Sequence, residues 1–279
     1  MQKLPLPITA ADDEMVVKRL GKQSAWKAHE ADWLNAYKRY QAKGGNPFDV
    51  TPAGFAAEIG KRQYELYDSR RNGGPLKRIR EQSGLKSCPV CGSPVTGDLD
   101  HYLPRKIYPE FSIMRANLVP ACTHCNSGSK GTMVSGTAPE RFIHPYFDGW
   151  ASGDLWFVAI APPFEAATFK PKPLNVLSKA RRLIVGFHLD NVLGKQFARS
   201  METIWSNLPG QLKMRNPSLG ESGLIDELQL ELRVAAMSSG NNSWPAALLR
   251  GILQNEAALD YLAEQIALAD LPPETAGPT

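Results

Sequence analysis

The sequence predicts a mainly α-helical fold of the α+β class, in which a small cysteine-stapled unit separates two helical regions. Helical periodicity occurs before residue 84 and again after about residue 174, and four cysteines in two CxxC pairs lie between these stretches. With 279 residues, 43% of them hydrophobic, the chain can bury a sizeable core. We therefore divide it into an N-terminal helical region, residues 1–84, a central unit, residues 85–148, and an α-rich C-terminal region, residues 149–279.

The first predicted helix spans residues 24–42 and carries aromatic side chains at helical spacing. Such a stripe is more often a core face than a platform for stacking bases. The stripe consists of Trp26, Trp33, Tyr37 and Tyr40.

Two more helices are predicted before the cysteines. Thr51 followed by Pro52 is an N-cap signal, and Gly73 and Gly74 are a stop signal, so a helix is expected between them. Its inward residues are predicted to be Phe55, Ile59 and Leu66. A short helix starting at Pro75 then leads to the first CxxC pair.

After the cysteines, the apolar run 155–161 predicts a strand. Four prolines within residues 162–173 predict a loop. From about residue 174 the periodicity is helical, with breaks at residues 216–223 and 238–243, and residues 271–279 are expected to be a frayed tail.

The net charge of +4 is concentrated near the cysteines, because residues 61–130 hold twelve basic and six acidic side chains. Such a region is suited to a polyanion, although a solvated basic surface is the alternative. The sequence has no apolar run long enough to cross a bilayer, and its start lacks a secretory pattern. A cytoplasmic protein without membrane association is therefore expected.

The two CxxC pairs, Cys88/Cys91 and Cys122/Cys125, predict a metal site. Each pair places two thiolates on a tight turn, and two such turns supply a closed tetrahedral zinc site of structural type. In a reducing compartment, metal thiolates are favoured over disulfides. His124, inside the second pair, is an alternative ligand, although four sulfurs already complete the shell.

Between the two pairs lies Asp100-His101, and Asn126 directly follows the last cysteine. With Asn117 before the second pair, these residues resemble the HNH, or ββα-metal, nuclease superfamily. The resemblance covers about residues 85–131, and its zinc layout is most similar to the phage junction-resolving endonuclease group. It implies a ββα core inside the mainly α protein, with Asp100-His101 on the first strand and Asn126 on the helix.

The resemblance also implies roles for individual residues. Asp100 and Asn126 would bind a catalytic Mg²⁺ or Mn²⁺, and His101 would be the general base. Asn117 would orient His101, and Lys130 would lie near a phosphate. Position 103 is Leu where some relatives carry a second His, so this position does not supply a third ligand or phosphate contact.

The chemistry of phosphodiester hydrolysis requires these residue types independently of the family. A neutral imidazole is a suitable base near pH 7, and carboxylate and amide oxygens suit Mg²⁺ or Mn²⁺. Successive side chains of an ideal strand, however, point to opposite faces. A twist or a strand end is therefore needed to bring Asp100 and His101 into one site. His144 is a further candidate for this site, although a structural histidine is the favoured interpretation.

The leading hypothesis is a metal-dependent DNA endonuclease that cleaves one strand per event, so that a double-strand break needs a dimer or two cleavages. The basic residues Lys77, Arg78, Arg80, Arg105, Lys106 and Arg115 are candidates for contacts with the DNA backbone. The alternative is a noncatalytic zinc module that docks on nucleic acid or protein. Similar bacterial HNH proteins suggest, by analogy, a restriction or anti-phage defence system with an ATPase or sensor partner that docks on the helical flanks.

Overall fold

The computed structural model describes residues 1–126 and 130–269. Five helices precede the cysteines: α1 (Ala10–Gly21), α2 (Ser24–Lys27), α3 (Glu30–Ala42), α4 (Ala57–Arg70) and α5 (Gly74–Arg80). The described residues contain four strands, β1 (Asp98–His101), β2 (Leu118–Ala121), β3 (Trp156–Ala161) and β4 (Thr168–Pro173). The C-terminal helices are α6 (Lys179–Val192), α7 (Lys195–Arg215), α8 (Glu221–Ser239), α9 (Trp244–Ile252) and α10 (Glu256–Leu268).

The predicted fold class is confirmed. Within the described residues, the strands form two antiparallel pairs, β1 with β2 and β3 with β4, and most of the remaining regular structure is helical. The chain is therefore mainly α with small β elements.

The aromatic stripe is a core face, as predicted, but the helix that carries it is interrupted at residues 28 and 29 between α2 and α3. Its indole and phenol groups reach the segment that connects β1 to β2. Trp33 Nε1 donates to the Glu110 carbonyl at 2.7 Å, and Tyr40 Oη donates to Asn117 Oδ1 at 2.9 Å. The stripe therefore supports the central unit from behind.

The prediction for the second helix was wrong at its start. Helix α4 begins at Ala57, and Thr51 and Pro52 lie in non-helical chain before it. Gly54 has a φ of +72°, a left-handed conformation that a right-handed helix does not contain. The most deeply buried residues of α4 are consequently Gln63 and Tyr67, whereas the predicted inward residues are half-buried.

The predicted loop over residues 162–173 contains strand β4, so this prediction was also wrong. Pro171 pairs with Val158 and Pro173 with Trp156. Proline is tolerated in an edge strand, where its missing N–H can face away from the partner. The predicted strand over residues 155–161 is confirmed by β3.

The helical breaks predicted at residues 216–223 and 238–243 are confirmed by the gaps on either side of α8. Helix α9 packs closely on β3, where a Cβ added at Gly251 would lie 1.8 Å from the Val158 carbonyl oxygen. Only glycine permits this approach. The predicted tail, residues 271–279, lies outside the described residues.

One cluster of buried side chains contains members from all three predicted regions. The division at residues 84 and 148 stays a prediction. None of the described helices combines the length and the apolar character that crossing a bilayer requires.

A largely buried ion pair between Arg141 and Asp148 lies at the C-terminal end of the central unit. Arg141 donates two hydrogen bonds of 2.7 Å to the Asp148 carboxylate, which also accepts from the His144 amide and from Trp150 Nε1. Although burial opposes ionisation, the hydrogen bonds and charge of Arg141 outweigh it and lower the pKa of Asp148.

We predict that Asp148→Asn lowers the free energy of unfolding by about 3–5 kcal/mol, because Arg141 is left buried without its counter-charge. A carboxylate with a lowered folded pKa contributes its full stabilisation above its unfolded pKa, about 3.9, and loses it as the pH falls through the folded value. The deficit measured by urea unfolding should thus be equal at pH 5.5 and pH 7.5. A deficit that shrinks at pH 5.5 would contradict the assignment.

Candidate metal centre and cleft

The four cysteines form a cluster that could hold a metal ion such as zinc. Cys88, Cys91, Cys122 and Cys125 are buried, and their sulfur atoms all lie within 4.8 Å of one another. The Sγ atoms of Cys91 and Cys122 are 3.7 Å apart, close to the edge of about 3.8 Å that a tetrahedron with Zn–S bonds of about 2.3 Å requires. The donor set therefore fits zinc in a closed site.

Contacts from the C-terminal region hold the first CxxC turn. His188 Nε2 donates to the Val90 carbonyl at 2.7 Å, and Trp244 Nε1 donates to the Cys91 carbonyl at 2.8 Å. Gly92, with a φ of +82°, allows the Asn242 carbonyl to approach so closely that a Cβ would lie 2.3 Å from it. The cluster is thus packed into the helical region rather than attached to its surface.

Strands β1 and β2 form an antiparallel pair that contains or adjoins the predicted catalytic residues, and Cys122 directly follows β2. Asp100 pairs with Val119 and His101 with Leu118, and Asn117 immediately precedes β2. Residues 123–126 are helical, so Asn126 lies on a helical turn after the second CxxC pair. The neighbouring residues 127–129 lie outside the described part.

Asp100, His101 and Asn126 line the same cleft, which has a volume of about 360 Å³. The cleft has a strongly basic wall, formed by Arg71, Arg80, Arg105 and Lys106. Asp98 also lines it. A carboxylate, an imidazole and an amide therefore converge beside cationic side chains, and the cysteine cluster adjoins them in sequence.

The side chain of Lys130 is buried against the end of β1. Its ammonium donates to Asp100 Oδ2 at 3.0 Å, to the His101 carbonyl at 2.6 Å and to the Tyr102 carbonyl at 2.7 Å. These bonds use all three of its N–H groups. The ammonium is therefore already committed to the protein, and its predicted location near a phosphate stays a prediction.

The imidazole of His101 is held in one tautomer. Its Nε2 is 2.9 Å from the Ser112 carbonyl oxygen, which can only accept, so Nε2 carries the proton and Nδ1 is the basic nitrogen. Burial lowers the pKa of His101 to about 3, although the Ser112 carbonyl opposes this shift. The ring is consequently neutral near pH 7, as a general base must be.

Burial and the neighbouring Lys130 ammonium shift the pKa of Asp100 in opposite directions. Burial raises its pKa, and the charge and hydrogen bond of Lys130 act in the opposite direction. Lys130 contacts Oδ2, and the His101 backbone N–H also donates a hydrogen bond to the carboxylate.

Helix α4 supplies a wall of the cleft that the sequence did not reveal. The Tyr67 ring meets the His101 ring edge to face, with centroids 4.6 Å apart. Arg105 lies over Tyr64 at 3.9 Å and pairs with Asp68 at 2.9 Å. The helical spacing of Tyr64, Tyr67 and Asp68 could have indicated that these residues share one face of a helix. No local sequence signal indicates that this face packs against His101 and Arg105, some 35 positions later.

Asn117 does not contact His101 in the predicted manner. Its amide accepts from the Leu103 backbone N–H at 2.8 Å and donates to the Leu103 carbonyl at 3.0 Å and to the Phe111 carbonyl at 3.3 Å. These bonds fix both ends of the loop that contains Ser112. The influence of Asn117 on His101 is therefore indirect, through the loop backbone.

Two other sequence-based candidates have structural roles. Arg115 donates to Asp13 at 2.8 Å in a largely buried ion pair, and its predicted contact with DNA stays a prediction. His144 is buried, and its Nε2 lies 2.9 Å from Tyr40 Oη, which confirms the structural interpretation. Lys77 and Arg78 are exposed on α5, outside the set of residues that line the cleft.

Comparison with known proteins gives a partial match. The chain is 47% identical over 67 residues to Protein ea31 of Escherichia phage lambda, and this match covers 24% of the chain and 23% of the phage protein. The chain thus matches less than a quarter of that relative's length. No protein-family model matches the chain, and no solved structure matches it significantly.

We predict that the purified chain contains one zinc ion, measured by elemental analysis, and that Cys122→Ser loses it. The melting temperature should fall by about 10 °C or more, since a chain of this size loses about 2–4 °C per kcal/mol. Ser87→Ala is the matched control, because the buried Ser87 hydroxyl beside the cluster has no hydrogen-bond partner among the described residues. Equal zinc contents of wild type and Cys122→Ser would exclude the site.

Proposed function

We propose that this protein is a metal-dependent endonuclease of the HNH type that hydrolyses one phosphodiester bond of DNA at a time. One observation supports this most strongly. A neutral imidazole, a carboxylate and an amide line one cleft whose wall holds four cationic side chains. Phosphodiester hydrolysis needs this combination of a base, oxygen ligands for a hard cation and positive charge for the phosphate.

In the proposed reaction, His101 Nδ1 accepts a proton from the attacking water, while the Ser112 carbonyl binds the proton on Nε2. Asp100 and Asn126 would hold Mg²⁺ or Mn²⁺, which stabilises charge on the phosphate and the leaving oxygen when bound. Arg71, Arg80, Arg105 and Lys106 would bind the backbone of the DNA, without reading its sequence.

One observation favours a second candidate, a noncatalytic docking subunit stapled by zinc. The Asp100 carboxylate is already paired with Lys130, which neutralises part of its negative charge. A divalent ion would therefore be attracted to it less strongly than to an unpaired carboxylate. A structural role for both residues would produce the same contact. Cleavage assays separate the two candidates, because a docking subunit binds DNA or protein without metal-dependent cleavage.

We predict that the protein nicks supercoiled plasmid DNA in the presence of Mg²⁺ or Mn²⁺. His101→Ala should lower the rate by about 10²–10⁴-fold, the range of general-base contributions. Asp100→Asn and Asn126→Ala should each raise the metal concentration needed for half-maximal rate, because each loses a ligand oxygen or its charge.

The matched control is His29→Ala, since His29 packs edge to face on Phe55 outside the cleft and should leave the rate unchanged. The endonuclease assignment fails if wild type and His101→Ala cleave equally, or if chelation of the divalent metal has no effect.

We predict that Arg105→Gln and Lys106→Gln each weaken DNA binding at every sequence. Each should lower the slope of log affinity against log salt by about 1, the value of one lost phosphate contact. Lys213→Gln, on α7 and outside the cleft, should leave the slope unchanged. Binding is measured by fluorescence anisotropy between 50 and about 200 mM salt, and an unchanged slope in either cleft variant excludes that residue from the binding surface.

A further inference from the structure

Helix α4 contacts the proposed base in two ways, from two residues one turn apart. The Tyr67 ring packs on the His101 ring, with centroids 4.6 Å apart and planes at 71°. The backbone carbonyl of Gln63 accepts a hydrogen bond from Ser112 Oγ, and the carbonyl of the same Ser112 binds His101 Nε2. Gln63 and Tyr67 are both buried on one face of the helix.

These two contacts constrain different properties of the ring. The hydrogen bond at Nε2 fixes one atom and the tautomer, but it permits rotation of the ring about the N–H···O direction. The terminal torsion of histidine is broad and sets no sharp preference of its own. The Tyr67 ring, packed edge to face with the imidazole, limits the remaining rotation, so both contacts are needed to aim Nδ1 in one direction.

Tyr67 also contacts the cationic side chain of Arg105. The guanidinium of Arg105 lies 4.9 Å from the Tyr67 centroid, and Asp68 and the Tyr64 carbonyl bind Arg105 Nη1 at 2.9 and 3.1 Å. Tyr67 therefore contacts both the imidazole and a cation that α4 also positions. Its relative exposure is only 9%, so the ring has little freedom to move away from His101.

We propose that Tyr67 is a positioning residue for His101, and that α4, outside the zinc-stapled unit of residues 85–148, is part of the catalytic unit. Tyr67 holds the plane of the imidazole so that Nδ1 faces the cleft, and Gln63 holds the loop that fixes Nε2. This inference rests on the proposed function, since it assigns the orientation of the same base.

The first test compares the kinetics of Tyr67→Ala and Tyr67→Phe in the full zinc-loaded chain with Mg²⁺. Tyr67→Ala should lower kcat by about 10- to 100-fold with an unchanged KM for DNA, because a small misplacement of a reacting group costs up to about that factor. Tyr67→Phe keeps the ring and should restore kcat to within about twofold of the wild type.

Tyr261→Ala controls for the loss of a packed aromatic ring. Tyr261 stacks on Trp205 in the C-terminal helices, at 5.8 Å, and its substitution should leave kcat unchanged. The inference is overturned if Tyr67→Ala keeps the wild-type kcat while His101→Ala is inactive. It is also overturned if Tyr67→Ala changes only KM, or if Tyr67→Phe is as slow as Tyr67→Ala.

A second measurement does not depend on activity. In zinc-loaded protein labelled with ¹⁵N-histidine, without Mg²⁺, the His101 signal is identified by its loss in His101→Ala. It should show the Nε2-protonated tautomer in the wild type, Tyr67→Phe and Tyr67→Ala, because each keeps the Ser112 hydrogen bond. Relaxation of the Nδ1 signal should report a more mobile imidazole ring in Tyr67→Ala than in the wild type and Tyr67→Phe. If wild type and His101→Ala prove equally inactive, the nuclease proposal fails, whereas unchanged Nδ1 relaxation in Tyr67→Ala overturns the positioning role itself.

Discussion

The cleft depends on how Lys130 binds the end of β1. Asp100 and His101 are neighbours on a strand, and successive side chains of an ideal strand point to opposite faces. Both nevertheless line the cleft, because His101 is the last residue of the strand and the Lys130 ammonium gathers the Asp100 carboxylate and the carbonyls of His101 and Tyr102. A buried ammonium with three acceptors is costly to leave unpaired, so this arrangement is strongly held.

The C-terminal region supports the metal cluster, and the N-terminal region supports the cleft. The C-terminal region binds the first CxxC turn through His188 and Trp244, and the N-terminal region binds the hairpin loop through Trp33 and Tyr40. The bonds from His188, Trp244 and Trp33 each satisfy a buried backbone carbonyl, and Tyr40 adds a second donor to the Asn117 amide oxygen. The helical flanks are thus needed for the local structure, whichever partners their outer surfaces bind.

The parts of this fold that local patterns determine were predictable from the sequence. The cysteine spacing indicated the cluster, periodicity indicated the helical regions, and Gly/Ser/Asn-rich segments indicated the ends of α8. The start of α4 was missed because capping signals at Thr51-Pro52 also suit non-helical chain, and β4 was missed because an edge strand accepts prolines. Contacts of Tyr67, Ser112 and Lys130 depend on tertiary packing between distant segments, which a single sequence does not encode locally.

Lys130 and Arg105 show why basic residues near a candidate site cannot be treated alike. All three N–H groups of the buried Lys130 ammonium already donate hydrogen bonds to the protein. Binding a phosphate would require breaking bonds to Asp100 or to the two carbonyls. Arg105 uses Nη1 for Asp68 and Tyr64, and its guanidinium has further N–H groups in a cleft that DNA could reach. A guanidinium stacked on a tyrosine is also held in place before any ligand arrives, which lowers the entropy lost on binding. The number of N–H groups that a cationic side chain still has available in the folded protein therefore determines whether it can bind a phosphate.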